Sequence, residues 1–241
     1  MADEIETLRK WIDESDNIVF FGGAGVSTES GIPDFRSQDG LYSTRYKYPP
    51  ETIVSHTFLT KRPDEFYDFY REKMVAPARA SKPNEAHKVL SKWEQEGKLK
   101  AVITQNIDGL HQAAGSKEVL ELHGTIMKNY CSRCKKPFSV DYVMNGNGIP
   151  VCDECGAMVR PDVVLYEEGL DMNVINRAVN YISKADVLIV GGTSLVVYPA
   201  AGLIDYYQGN KLVLINLSAT NRDSNADLII REKIGKVLSS L

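Results

Sequence analysis

A parallel α/β fold interrupted by a separate cysteine module is what these 241 residues predict, on three observations. Short apolar runs alternate with stretches of helical periodicity, which is the mark of βαβ units and a parallel sheet. Three of the apolar runs stop abruptly at small or polar residues: before Gly22, before Gly191 and before Asn216. All four cysteines fall between Cys131 and Cys155, where the alternation breaks.

Taken in order, residues 4–15 place Ile5, Leu8, Trp11 and Ile12 at helical spacing. Residues 17–21 form an apolar run that reads as a buried parallel strand opening into a tight loop. The loop from Gly22 to Gly40 is rich in Gly, Ser, Pro and Asp, and its length suits a binding loop. Residues 63–75 and 83–97 each begin with Pro, carry early acids and read as helices, the second stopping at Gly97. A strand at 101–104 leads into a polar turn over 105–109, and a short one at 119–122 leads into His123 and Gly124. Beyond the cysteine segment, about 126–160, come a run at 163–166, a helix over 171–184, a strand at 186–190 and a helix from about Pro199. The strand 211–215, a loop and a final helix over 231–239 complete the chain. Ligands of open parallel sheets bind beyond the carboxyl ends of strands, so three small or polar strand ends point to a nucleotide-sized site.

Composition narrows the function classes. Hydrophobic residues make up 43% and charged residues 25%, enough apolar content for a sizeable core and against disorder as the main state. The length suits one large domain, or a domain with a smaller insertion. A net charge of −4 without a long Lys/Arg run argues against direct nucleic-acid binding. No apolar run approaches the ~20 residues of a membrane span. The acidic first residues have no signal-peptide pattern, so a cytoplasmic location with reduced thiols is expected.

Cys131 and Cys134 form one CxxC pair and Cys152 and Cys155 another, seventeen residues on. Each CxxC turn presents two thiolates to one metal, and the spacing between pairs falls in the zinc-site range. Four thiolates leave no position for water, so one structural Zn2+ is expected and not a catalytic one. Two disulfides or a redox pair would be the alternative, and they lack a secretory context. A zinc ribbon can also serve as an interaction module, but the stretch between the pairs is not markedly basic.

Gly23, Gly25 and Thr28 resemble a dinucleotide fingerprint with Thr in the third glycine position. By itself this fits either backbone approach to a pyrophosphate or a tight turn without ligand. A hydride-transfer enzyme would follow the loop with a helix and then a second strand ending in an acid. Here the loop runs on through Ser30 to Arg36, which favours a nucleotide site of different wiring.

The motifs then become specific in combination. Gly23–Thr28, Gly31–Arg36, Thr104–Asp108, Leu122–Gly124, the paired CxxC, Gly192–Ser194, Val197–Ala200 and Ile215–Asn216 occur in that order. Together they resemble the sirtuins, NAD-dependent protein-lysine deacylases, from about residue 17 to 230, and the short flanks resemble the compact bacterial members. The resemblance implies a Rossmann-like domain (1–37, 78–125 and 160–241). It also implies a small domain made of a helical insertion (38–77) and the zinc module (126–159). NAD and an acetyl-lysine peptide would enter the cleft between the two from opposite sides.

The resemblance makes His123 the general base. The acyl oxygen attacks ribose C1′ as nicotinamide leaves, the activated 2′-hydroxyl then attacks the acyl carbon, and 2′-O-acetyl-ADP-ribose and free lysine result. An unperturbed imidazole titrates near pH 6.5 and can take a hydroxyl proton in the cell. Asn106 and Asp108 would act on the nicotinamide side, with Ile32 and Ile107 lining the same pocket. Ala24, Gly25 and Thr28 would hold the pyrophosphate, Phe35 would shield the reactive ribose carbon, Arg36 would pair with phosphate and Gln105 would reach the ribose. Thr193, Ser194, Asn216 and Asp227, with Leu228, would contact the adenosine half. His111 reads as structural, and His56 and His87 have no supporting context. The acetyl-lysine peptide would add as a strand between 163–166 and 196–198, near Val163 and Val197. A monomer is expected. Protein ADP-ribosylation, or removal of longer acyl groups, would use the same NAD site.

Two departures stand out. Many sirtuins carry Phe-Gly-Glu after the first peptide strand, and here Tyr166, Glu167 and Glu168 stand in its place. Extra acid there would favour basic residues flanking the acetyl-lysine. Desuccinylating members use a Tyr-x-x-Arg clamp. Here Tyr67 is followed three places on by Tyr70, with Arg71 one place off, so acetyl is preferred over succinyl.

Overall fold

The computed structural model describes residues 2–34, 40 and 46–241. Helix α1 (Ala2–Asp13) precedes strand β1 (Ile18–Gly22), which opens into two short 3-10 turns at Ala24–Val26 and Thr28–Ser30. A helical stretch follows: α2 (Pro50–Ile53), α3 (His56–Lys61), α4 (Pro63–Phe69), a π-helical segment Tyr70–Val75 and α5 (Ala76–Ala80). The helix expected over 63–75 is therefore α-helical only to Phe69. Pro77 has no N–H to give the preceding turn, and the wider π winding accommodates it.

Next come α6 (Glu85–Gln95), β2 (Leu99–Thr104), α7 (Leu110–Ala113) and β3 (Val119–Glu121). The cysteine segment holds β4 (Gly124–Cys131), β5 (Pro137–Ser139), α8 (Val140–Asn145) and β6 (Val159–Val163). The chain ends with α9 (Met172–Lys184), β7 (Val187–Gly191), a 3-10 helix Ala200–Tyr206, β8 (Leu212–Ile215), β9 (Leu228–Ile230) and α10 (Ile234–Leu238). Three sequence expectations are corrected. The run at 163–166 is the exit of β6, tied on by a single bridge from Tyr166 to Ser55. The helix from Pro199 is 3-10. The loop before the last helix contains edge strand β9, too short to show a period.

Six strands form one parallel sheet in the order β3-β2-β1-β7-β8-β9. Connections run outward from β1 to β3 and then return through β7 to β9, so the sheet reverses direction between β1 and β7. In register, Gly22 lies beside Thr104 and Gly191, Thr104 beside Glu121, and Gly191 beside Ile215. The carboxyl ends thus form one level row under the switch point, where open α/β sheets bind ligands.

Alternate strand residues feed two cores. Ile18 and Phe20 pack with Val102, Ile189 and Val213 against α1, α6 and α10. Val19 and Phe21 pack with Ile103, Leu188 and Leu214 against α9 and the 3-10 helix. A third core lies apart from these and joins the helical stretch to the cysteine segment through Phe66, Tyr67, Tyr70, Ile126, Val143 and Val159. It covers the second sheet, β5-β4-β6, which is antiparallel. No helix among the described residues is long and apolar enough to cross a membrane.

Candidate active site and metal centre

A cleft of about 600 Å³ lies above the row of strand ends. It is floored by the loops that leave β1, β2, β7 and β8 and closed on the far side by the exit of β6. The loops interlock closely. Gly25 N–H donates to Gly192 O at 2.8 Å, and a Cβ on Gly25 would lie 2.8 Å from Gly192 Cα. Gly192 has φ +60, and a Cβ there would lie 2.4 Å from Val26 N. The glycines of the fingerprint thus let two loops interlock at the switch point, a demand that exists without any ligand.

His123 lies two residues past β3. Leu122 N–H donates to Thr104 O and Val164 N–H donates to His123 O, which fixes the backbone that carries the imidazole. Its Nδ1 lies 3.0 Å from the backbone oxygen of Gln105. A carbonyl can only accept, so Nδ1 carries the proton and Nε2 keeps its lone pair. Burial pushes the histidine below its ordinary value, against the opposing pull of that hydrogen bond. His123 is therefore a neutral base with one defined basic nitrogen.

Beside it lies a buried polar chain. Asn106 Nδ2 donates to Ser27 Oγ at 3.0 Å, and Ser27 Oγ donates to Asp108 Oδ2 at 2.6 Å. Leu110 N–H donates to the other Asp108 oxygen at 2.9 Å. Burial raises the Asp108 carboxyl, and the Ser27 and Leu110 hydrogen bonds oppose the rise. Ser27 is 1% exposed and is a site residue that sequence reasoning missed. Its signal was present, since it sits inside the Gly23–Thr28 motif. Nothing local tells a hydroxyl that faces Asp108 from one that caps a turn.

The adenosine-side residues are organised by one another. Gln105 Nε2 donates to Thr193 Oγ1 at 3.0 Å, and Thr193 N–H donates to Asn216 Oδ1 at 2.9 Å. Asn216 Nδ2 is buried with no hydrogen-bond partner among the described residues, a donor available to a ligand. That orphan donor, the neutral His123 and the row of strand ends fit a dinucleotide. Ala24, Gly25, Thr28, Ile32, Ile107 and Ser194 also line the cleft. Thr28 Oγ donates to Gly25 O at 3.0 Å, which leaves its oxygen as an acceptor. Asp227 is a correction. Its carboxylate accepts from Leu212 N–H at 2.8 Å, at the amino end of β8, while the cleft lies beyond the carboxyl ends. Leu228 opens β9 beside Val213 and is likewise outside the lining. Phe35 and Arg36 lie outside the described residues.

The peptide-side residues Val163, Tyr166, Val197 and Tyr198 line the other end of the cleft. Tyr67, Tyr70 and Arg71 do not. The Tyr67 hydroxyl donates to Val159 O, and the Arg71 guanidinium donates to Val143 O at 2.8 Å and Gly148 O at 2.6 Å. The groups of a carboxylate clamp are thus spent on joining the helical stretch to the cysteine segment.

The four thiols of Cys131, Cys134, Cys152 and Cys155 lie within 4.8 Å of one another. Cys131 and Cys155 sulfurs are 3.3 Å apart and Cys134 and Cys152 sulfurs 3.7 Å. These are far longer than a disulfide bond of about 2.05 Å. They approach the ~3.8 Å edge of a tetrahedron with Zn–S bonds of about 2.3 Å. The two CxxC turns are alike. Lys135 N–H returns to Cys131 O and Gly156 N–H to Cys152 O, with left-handed φ of 64 and 70 at Lys135 and Gly156. Arg133 and Cys134 N–H groups both point at Cys131 Sγ at 3.4 Å, which favours the thiolate. The set fits a closed structural zinc site.

Comparison with known proteins agrees with this geometry. A family model described as the Sir2 family matches residues 23–199. An NAD-dependent protein deacetylase of Clostridium acetobutylicum is 60% identical over 100% of this chain and 99% of its own length. One from Cutibacterium acnes is 51% identical over 98% of this chain and 96% of its own. Among solved structures, Sir2 with p53 peptide and NAD+ superposes with a TM-score of 0.87 at 40% identity, covering 98% of this chain and 96% of that one. Sir2 bound to acetylated peptide gives 0.88 at 38% identity over the same shares.

Proposed function

This chain belongs to the Sir2 family, and from that premise we propose that it is an NAD-dependent protein-lysine deacetylase that transfers the acetyl group of acetyl-lysine to ADP-ribose. The observation that carries this reading is His123, a neutral imidazole whose Nδ1 is tied to Gln105 O and whose Nε2 is left as a base. NAD, when bound, supplies the ADP-ribosyl group that accepts the acetyl group as nicotinamide departs.

The residues of the chain divide the remaining work. His123 Nε2 takes the proton of the ribose hydroxyl, and the Gln105 carbonyl stabilises the resulting imidazolium through Nδ1–H. Ser27, Asn106 and Asp108 form one preorganised chain that orients the nicotinamide half, since Ser27 ties the Asn106 amide nitrogen to the Asp108 carboxylate. Thr193, Ser194 and Asn216 take the adenosine half. Ala24, Gly25 and Thr28 face the pyrophosphate. Phe35 and Arg36 keep the roles that the family resemblance implies for them. Cys131, Cys134, Cys152 and Cys155 hold one zinc ion that does structural work only.

The acetyl-lysine peptide adds as a strand near Val163 and Val197, and backbone pairing gives it affinity with little demand on sequence. Acetyl is favoured over succinyl because Arg71 is committed to Val143 and Gly148. The protein acts as a cytoplasmic monomer.

The test mixes protein, NAD and an acetyl-lysine peptide and follows 2′-O-acetyl-ADP-ribose by mass spectrometry. Wild type should form it, and His123→Ala should lose about 10²–10⁴-fold or more in rate. Equal rates from the two proteins would remove His123 from the chemistry.

A further inference from the structure

The backbone turns sharply where the peptide end of the cleft meets solvent. Glu168 N–H closes a turn onto Leu165 O at 3.0 Å, with Glu167 at φ +75. Turns of this kind ask for glycine at that position, and a side chain there is strained. Glu167 nevertheless carries an exposed carboxylate, one oxygen of which accepts from Thr57 N–H at 2.9 Å. A conformation that disfavours any side chain has been kept with a charged one, and the charge is pinned in place.

Its neighbour differs in one respect. Glu168 also lines the cleft, but Arg160 grips both its oxygens at 2.6 and 2.9 Å, Leu165 N–H donates to it at 2.9 Å and His56 Nδ1 lies 2.8 Å away. Burial pushes that carboxyl up, but these partners outweigh it and hold it at about 2, so its charge is spent inside the protein. Among the described residues, Glu167 has no ion-pair partner of that kind. The Thr57 side chain and then its N–H lower the Glu167 carboxyl, against a small opposing effect of burial, and Lys61 acts on it only from a distance. Val197, Tyr198 and Pro199, which line the same cleft, carry no charge of their own, and the Arg222 guanidinium beside the Tyr198 hydroxyl is paired with Asp205 at 2.8 Å. Among the described residues, the peptide end therefore holds in Glu167 a fixed negative charge with no ion-pair partner, beside the proposed path of the substrate backbone.

We propose that Glu167 sets substrate preference, selecting acetyl-lysine segments that carry a Lys or Arg close to the modified residue and disfavouring those with Asp or Glu there. The proposal rests on the peptide-binding reading of this cleft. A single exposed ion pair gives modest discrimination, and like-charge repulsion acts in the same direction.

The experiment uses one acetyl-lysine peptide with Lys, Gln or Glu placed in turn at each of the two positions on either side. kcat/KM is measured for wild type, Glu167→Gln and Glu167→Gly. Wild type should prefer Lys over Glu by about 3- to 10-fold at one or two positions, and 0.5 M salt should reduce the ratio. Glu167→Gln retains an acceptor for Thr57 N–H and should bring the ratio close to one. Glu167→Gly should do the same while melting higher than wild type, because the left-handed strain is gone. Turnover of all peptides at equal rates by wild type, or an unchanged ratio in Glu167→Gln, overturns the proposal. Failure to turn over any of the peptides would instead count against the deacetylase reading itself.

Discussion

The parallel sheet and the cysteine region solve the same problem with unequal means. Every residue of β1, β7 and β8 is buried, and the sheet has a full apolar layer on each face. Its strand ends are therefore free to carry His123, Asn106, Thr193 and Asn216, none of which the core needs. The three-stranded sheet has no such surplus. None of the three residues of β5 is buried, β4 alternates irregularly, and its core leans on aromatic side chains lent by the helical stretch, Phe66, Tyr67 and Tyr70 among them. A region so small needs a cross-link, and four thiolates supply it. Chemistry gathers on the region that can hold itself together. Glu167, proposed to select substrates, sits where the weaker region borders it.

Metal removal should expose that inequality most strongly. Structural zinc can contribute on the order of 10 kcal/mol to a small fold. Chelation, or Cys152→Ser, should release hydrogen-exchange protection in β4, β6 and the 50–80 helices and abolish deacetylation, while β1, β2 and β7 stay protected. Loss of protection in both regions together would break the comparison.

A smaller effect should come from the junction between them. Gly124 follows His123, opens β4 at φ +71, and would place a Cβ 2.1 Å from Asp162 O. Gly124→Ala cannot keep both the strand pairing and the histidine position. It should cost about 3 kcal/mol in denaturant melts and reduce turnover beyond what stability explains. A variant with wild-type stability and rate would show that the junction is soft.

Mild acid should act more gently, through buried histidines of the sheet region. His87 and His111 are buried with ring centroids 4.7 Å apart, and three of their four ring nitrogens have no partner. Burial holds them down at about 4 and about 3, with His87 adding to the effect on His111. Below their ordinary value of about 6.5 the unfolded chain takes up protons that the folded chain refuses, so stability falls as pH drops. One unit below that value the loss is about 1.4 kcal/mol for each group. Denaturation at pH 7.5 and 5.5 should show it, and His111→Phe should reduce the loss by about 1.4 kcal/mol over that range while leaving the shares of His87 and His123. A flat profile would mean that the pair is hydrated or charged in the folded protein.

Much of the site could be read from the chain because its residues sit at strand ends, and a strand end is a local feature. His123 after 119–122 and Asn216 after 211–215 are examples. The paired CxxC was equally legible, since two thiols per turn is a property of four residues. Ser27 was not legible, because its role depends on Asp108, which leaves the neighbouring strand β2 and lies 81 positions away. Asp227 was misplaced for the reverse reason. Its position near β9 says nothing about which end of the sheet it occupies until β8 and β9 are paired.

The sequence by itself determined the alternation of strand and helix, the metal-binding set and the positions of the catalytic groups along the chain. The first two rest on periodicity and short spacing, and the third is what the ordered motifs imply by their resemblance to a family. Only the tertiary structure decided which nitrogen of His123 is basic, which loop each fingerprint glycine must clear, why Arg71 is unavailable to substrate, and that Glu167 has no ion-pair partner among the described residues where Glu168 has one. Those outcomes depend on burial and on partners brought from distant positions, and a carboxylate's charge is spent or free only according to what the fold sets beside it.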